Sequence, residues 1–299
     1  MRWVHLHRFA AAKKSVELAA IEVLSRDEVA FKGARYNLRT RKKTGKVPGF
    51  LIAPDGAHLR WTQSVLEHCA PGAAPVPMPW LSCGPLIARV GSRIVGSAEA
   101  SQPWIVVSTH TGEIEGSLDE QQPIDFGPRK LFTATVVRAD HRSLWLNERT
   151  RLACYDVATR RCCEAIAAPD GWAWLHAAIT DSGKIVAILR PSENVADCER
   201  AGDVLASFSP DRIERWRREL RPMHLAALGD NCVVVDDSAR SFVVLSDEGD
   251  ELQRVPMHEP SKIPWATVIA LPSGDEWLSI GNHGEWDHYG PASFAGGAS

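Results

Sequence analysis

The sequence predicts an all-β fold: a single β-propeller of about seven four-stranded blades spanning residues 1–299. Three observations carry that reading. Four short apolar runs, each closed by turn residues, fit within about 35 residues at 223–257. The same grammar recurs along the chain at blade-sized intervals. Helical periodicity is nearly absent.

The clearest unit starts at Met223. Met223 to Leu228 is apolar enough for an inner strand, and Gly229-Asp230-Asn231 is turn chemistry. Cys232-Val233-Val234-Val235 makes a second strand, broken by Asp236 to Ala239. Ser241 to Leu245 makes a third, and Asp247 to Asp250 turns again. Glu251 to Val255 is a more polar fourth strand, ended by Pro256. Polarity rises from first to last, as expected when the last strand is outermost.

Upstream, Leu131–Arg138, Leu144–Leu146, Leu152–Tyr155 and Arg161–Ile166 repeat the pattern. Trp172–Thr180, Lys184–Leu189, Val204–Phe208 and Glu214–Leu220 repeat it once more. Weaker copies start near Val16, Phe50, Leu86 and Trp265. First strands then begin near 16, 50, 86, 131, 173, 223 and 265, with spacings of about 34 to 50 residues. Merging residues 50–125 into one unit gives six blades instead. The two short helix candidates are Val16–Val23 and Arg212–Leu220.

The units "LACYDVATRRCCEAI" (152–166) and "FVVLSDEGDELQRVP" (242–256) resemble propeller repeats of the broad pyrroloquinoline-quinone-like, NHL-like and WD-type kind. No blade carries the paired Gly-His and Trp-Asp of a true WD repeat, and the tryptophan-docking pattern of quinone-dependent dehydrogenases is missing. The resemblance implies architecture and not an activity.

Three stretches interrupt the repeats. Cys69–Pro85 and Pro191–Asp203 read as irregular loops, and Gly284–Ser299 as a tail with one weak strand at most. An incomplete last blade would take its missing strand from Trp3–Phe9, which removes two exposed sheet edges.

Bulk composition narrows the function classes. No run of about 18 apolar residues exists, so no membrane helix is expected. The first residues lack an apolar core of signal-peptide length, and a cytoplasmic location is expected. The seven cysteines are odd in number and irregularly spaced, without a C-x-x-C pair. Free thiols are expected, with no zinc ribbon. Net charge is -3, which does not suggest a nucleic-acid or membrane-surface binder.

Several clusters invite a chemical reading. Asn282 to Tyr289 gathers two histidines and two carboxylates, yet matches no metal-site spacing and reads as a solvated loop. His5 and His7 share a face on a strand and read as edge histidines. Lys32, Arg35, Arg39, Arg41, Lys42, Lys43 and Lys46 read as a solvated hairpin tip. His110 to Glu115 and Asp236-Asp237 read as turns. Phosphate-loop, nucleophile-elbow, dinucleotide and H-E-x-x-H motifs are missing. No catalytic residue, metal ligand or cofactor is assigned.

The expectation is therefore a non-catalytic propeller that binds a protein partner. It would be a scaffold or subunit of a bacterial multi-protein system, such as one pairing a MoxR-like ATPase and a von Willebrand-type domain with a propeller, or an immunity-like toxin blocker. The rival is a hydrolase or lyase with a site in the central channel. Trp80, Trp172, Trp174 and Trp265 lie at loops joining one blade to the next and are the candidate partner contacts; packing between blades is the plainer role for each.

Overall fold

The computed structural model describes residues 1–9, 22–31, 34–53, 55–62, 65–79, 81, 87–97, 102–126, 129–131, 134–192, 202–218, 220–258, 267–280 and 286–295. These residues form seven antiparallel sheets and one extra hairpin, which define the fold class as a seven-bladed β-propeller.

The N-terminal strand is β1 (Trp3–Phe9). The first sheet follows with β2 (Glu22–Val23), β3 (Glu28–Phe31), β4 (Ala34–Asn37) and β5 (Lys42–Lys46). The second shows three strands among the described residues: β6 (His58–Thr62), β7 (Val65–Cys69) and β8 (Val76–Met78). The third holds β9 (Ile87–Val90), β10 (Arg93–Gly96), β11 (Ile105–Ser108) and β12 (Ile114–Ser117). A hairpin of β13 (Ile124–Phe126) and β14 (Arg129–Leu131) precedes the fourth sheet. That sheet holds β15 (Thr135–Ala139), β16 (Ser143–Asn147), β17 (Arg151–Asp156) and β18 (Arg161–Ala167). The fifth holds β19 (Trp172–Ile179), β20 (Ile185–Pro191), β21 (Val204–Phe208) and β22 (Glu214–Arg218). The sixth holds β23 (Pro222–Leu228), β24 (Asn231–Asp236), β25 (Ser241–Leu245) and β26 (Glu251–Pro256). The seventh orders β27 (Thr267–Ala270), β28 (Trp277–Ile280) and β29 (Trp286–Pro291), and β1 pairs antiparallel with β29 as its fourth strand.

The middle strands are apolar on both faces because both faces are covered. β25 is buried along its whole length, while the fourth strand β26 is mostly exposed. Side chains alternate between faces along a strand, so a fully buried run needs a neighbour on each side. A bulge recurs where the third strand pairs with the fourth. It falls at Val106/Val107, Cys154/Tyr155, Ser207/Phe208 and Val244/Leu245. Such bulges add local twist to the outer part of a sheet.

The chain divides into two compact units. One comprises Met1–Lys32, Tyr36–Thr44 and Leu175–Ser299, and the other Gly33–Arg35 and Gly45–Trp174. The first unit contains most of the first and fifth sheets and all the described strands of the sixth and seventh. Among the described residues, apolar clusters fill it between the fifth and sixth, sixth and seventh, and seventh and first sheets. In the last of these, Phe9 stacks on Trp286 with ring centroids 3.7 Å apart. The second unit holds the remaining sheets around two further clusters.

Several sequence expectations need correction. Phe50 makes only an isolated bridge to Leu59, and the second sheet starts at His58. Leu131 belongs to the extra hairpin, so the fourth sheet starts at Thr135. Cys69–Pro85 is not all loop, because β8 forms within it. Residues 214–218 form the expected fourth strand, beside β21, and not the alternative helix turn. The tail contains β29, an interior and fully buried strand. Residues 16–21, 193–201 and 281–285 lie outside the described residues. Cys69, Cys154, Cys162, Cys163 and Cys232 are free thiols. No helix among the described residues is long and apolar enough to cross a membrane.

Candidate functional site

In an up-and-down sheet, the first-to-second and third-to-fourth turns share one end. Among the described residues, the large apolar side chains that remain exposed all occur at that end of their own sheet. In the second unit these are Trp61 and Val65, flanking the first-to-second turn of the second sheet, and Ile114, opening β12. In the first unit they are Ile213, 61% exposed, before β22, and Leu252, 48% exposed, near the start of β26. Met1 precedes β1, the fourth strand of the seventh sheet, and is also exposed. Scattered surface apolar residues are ordinary; within each unit, their restriction to one end of the sheets is what marks a surface there.

In the first unit the same end carries an open cleft of about 610 Å³ between the sixth and seventh sheets. Its floor includes Leu228 and Trp3, both buried. Leu252 and Met1 supply an apolar rim, and Asp230 and Asp275 supply two carboxylates. Gly229 and Gly274 close the two turns at positive φ, +60° and +75°, a conformation that favours glycine.

Hydrogen bonds between turns hold this end in place. Asp181 donates its N–H to the Gly229 carbonyl at 3.1 Å, and the Ser182 N–H donates to Asp230 Oδ1 at 2.9 Å. The Lys184 ammonium pairs with Asp247, whose carbonyl also accepts the Trp216 indole N–H at 3.1 Å. The Trp3 indole N–H donates to the Asp275 carbonyl at 2.9 Å. The side-chain Oδ1 of Asp275 is buried and accepts no hydrogen bond from the described residues.

The tryptophans selected from sequence lie elsewhere. Trp172 opens β19 at the opposite end of its sheet and is half-buried. Trp174 is 1% exposed, its backbone N–H donates to the Arg149 carbonyl, and its own carbonyl accepts from the Asn147 side chain. Trp80 and Trp265 lie outside the described residues. Sequence reasoning missed Ile213 and Leu252, because an apolar residue in a strand is counted toward the core.

The histidine-carboxylate segment is also not a solvated loop. Asp287 is buried in β29 and accepts from Arg8 Nε at 2.9 Å and from the His5 ring at 3.0 Å. His5 in turn stacks on His258, 4.0 Å between centroids. Burial raises the Asp287 pKa, but hydrogen bonds from His5 and Arg8 outweigh it and hold the carboxyl below its ordinary value. His288 meets Glu276 at 2.8 Å, and Glu276 receives two hydrogen bonds from Arg39, at 2.9 and 2.7 Å. Burial opposes ionisation of Glu276 as well, yet His288 and Arg39 bring its pKa down to about 2. Arg39 also meets Asp27 at 2.8 Å. So Arg39 is no solvated tip residue: it ties the first sheet to the seventh. A bulge between His5 and His7 separates those two histidines, and His7 packs on Phe9. His110 to Glu113 form a turn, and Asp236 caps one through Ser238 and pairs with Arg254.

One histidine pair lies apart from these networks. His176 on β19 and His224 on β23 have ring centroids 4.8 Å apart. Desolvation lowers the His224 pKa to about 4, which keeps its imidazole neutral at pH 7, and Nδ1 accepts the Val268 N–H at 3.4 Å. No group of three or more potential metal ligands occurs among the described residues.

No protein-family model matches the chain, and no curated protein matches it. Solved structures do. BamB from Moraxella catarrhalis aligns at a TM-score of 0.60 and 12% identity, over 97% of this chain and 100% of that one. The β-propeller domain of Cps50 (Swd1) from Myceliophteria thermophila aligns at 0.64 and 10%, over 95% and 99%. Hydrazine synthase from Kuenenia stuttgartiensis aligns at 0.55 and 13%, over 91% and 95%. At these identities the likeness is one of fold.

Proposed function

We propose that this chain is a non-catalytic propeller that binds another protein through the turn end of its sheets. The observation that carries the reading is the placement of the exposed apolar side chains at that end, next to a cleft whose turns are hydrogen-bonded in position. Such a platform loses little conformational freedom when a partner docks. The fold is compatible with this use, since a rigid scaffold with variable turns suits recognition. We rank this end above the loops that carry Trp172, because Trp174 beside it is committed to packing.

The setting we propose is the bacterial cytoplasm. There the chain would serve as a subunit of a multi-protein system, such as one with a MoxR-like ATPase and a von Willebrand-type component, or as an immunity-like blocker of a toxin. The test is cross-linking in the native host followed by purification of the full chain. A specific protein cross-linked to the 213 and 252 regions, and lost in Ile213→Asp and Leu252→Asp variants, is the expected result. A partner retained equally by those variants overturns the surface, and no specific partner at all overturns the reading.

The second reading is a hydrolase or lyase, and the His176–His224 pair is what favours it. Because the Val268 N–H occupies Nδ1 of His224, His176 would be the proton-accepting member of the pair and His224 its positioning neighbour. Turnover of a generic ester, phosphoester or uronide substrate that disappears in His224→Ala would establish it.

A further inference from the structure

We infer that the cleft between the sixth and seventh sheets receives the Lys or Arg side chains of a basic, amphipathic segment of the partner. The inference rests on the protein-binding reading above and names the chemistry of the docked segment. Three features of the cleft select that chemistry.

The first is charge. Asp230 and Asp275 line the cleft, and the neighbouring turns of the fifth and sixth sheets add Asp181, Asp247 and Asp250 at the same end. At this end Lys184 is paired with Asp247 and Arg215 with Glu248, and the Met1 ammonium beside the cleft is outnumbered by the two carboxylates. A second anion is repelled from such a site, and a cation is attracted.

The second is an unmet hydrogen-bond acceptor. Asp275 Oδ1 is buried without a donor among the described residues. A carboxylate so poorly compensated is costly, and a guanidinium or ammonium in the cleft that Asp275 lines offsets its charge.

The third is the apolar part. Leu252 and Met1 at the rim and Leu228 below offer a surface for carbon, not only for a head group. Lys and Arg carry an apolar stem that packs in this way while the head meets a carboxylate. A bare metal ion uses none of that surface, and no third potential ligand joins the two carboxylates into a metal-binding group among the described residues. At about 610 Å³ the cleft lies in the range that takes a small ligand, which suits a short stretch of chain around its basic residue.

The probe is a random library of short peptides displayed on phage and selected on the full-length chain, with the winners measured by fluorescence polarisation. Asp230→Asn and Asp275→Asn are the test variants, and Asp170→Asn, exposed in the turn before β19, is the control. Asn at 230 keeps the acceptor used by the Ser182 N–H, and Asp275 Oδ1 receives no hydrogen bond from the described residues to lose, so both test variants should melt as the wild type does. The expected result is enrichment of Arg or Lys beside Leu, Ile or Met. Each test variant then weakens binding about tenfold, the control leaves it unchanged, and added salt weakens it further. Enrichment of acidic or uncharged peptides overturns the inference, as do basic peptides that bind both test variants normally. Full displacement by spermine at the same affinity overturns it too, because a small polycation then suffices. Recovery of no peptide overturns the cleft as a peptide site, while cross-linking in the host still decides whether the chain binds a protein.

Discussion

Replacing Arg39 with methionine should destabilise the protein by an amount that depends on pH. Arg39 gives two hydrogen bonds to Glu276, which is fully buried, and one to Asp27. Without the guanidinium, the Glu276 carboxylate keeps His288 as its one side-chain partner among the described residues. Removing one member of a buried ion pair costs about 3–5 kcal/mol. The Arg39 side chain is itself 31% exposed, so solvent screens part of the attraction and the low end, about 3 kcal/mol, applies. Unfolding entropy of about 2.1 cal/mol/K per residue over 299 residues gives about 0.6 kcal/mol/K, so Tm should fall by roughly 5 °C at pH 7. The Glu276 pKa is depressed from an ordinary 4.5 to about 2. A depressed carboxylate contributes stability that is present above its unfolded pKa and lost as pH falls through the folded one. The gap between wild type and variant should therefore be full at pH 7 and close between about pH 4.5 and pH 2. Thermal melts by circular dichroism across that range test this. The double variant Arg39→Met/Glu276→Met should recover most of the loss, because an apolar pair replaces the ions. A drop under about 1 °C, or a gap that does not change with pH, would refute the reasoning.

Three further outcomes follow from named contacts. Deleting residues 1–9 removes the fourth strand of the seventh sheet and exposes the edge of β29; the soluble fraction should fall sharply, and a peptide of that sequence added in trans should restore it. Unchanged melting of the truncated chain contradicts that pairing. Gly249→Ala places a Cβ 2.7 Å from the Trp216 ring at φ +83°, so a loss of about 1–3 kcal/mol is expected, against less than about 0.5 kcal/mol for Gly45→Ala, which meets nothing. Tyr155→Phe removes a 2.6 Å hydrogen bond to Glu148 in a buried site and should cost about 1–3 kcal/mol in urea titrations; a neutral result would show that Arg151 alone satisfies Glu148.

The sixth sheet was legible almost residue for residue, because apolar runs and turn residues change over together at Gly229-Asp230, Asp236–Ala239 and Asp247–Gly249. The second sheet was not. Pro77 sits inside β8, and proline in a strand reads as a break unless the strand pairs on one side. The strand β29 was hidden by Asp287 and His288, which look like loop residues. Their partners are Arg8, His5 and Glu276, and two of those three lie about 280 positions away in sequence. A local pattern contains no trace of such a pairing, so polar content reads as solvent exposure.

The candidate site was missed for a different reason. Large aromatic rings make good anchors for a partner, but they also fill the space between packed sheets best. Trp104, Trp174, Trp277 and Trp286 are all fully buried in that second role. What remains for the surface is mostly aliphatic: Ile213 between Arg212 and Glu214, and Leu252 between Glu251 and Gln253. Both sit at the start of a polar fourth strand, where the core asks for no side chain of that size. An isolated Ile or Leu with polar or charged neighbours on each side, at the opening of an outermost strand, is therefore the sequence signal that points to this end of the sheets. Tryptophan content points to the packing between them.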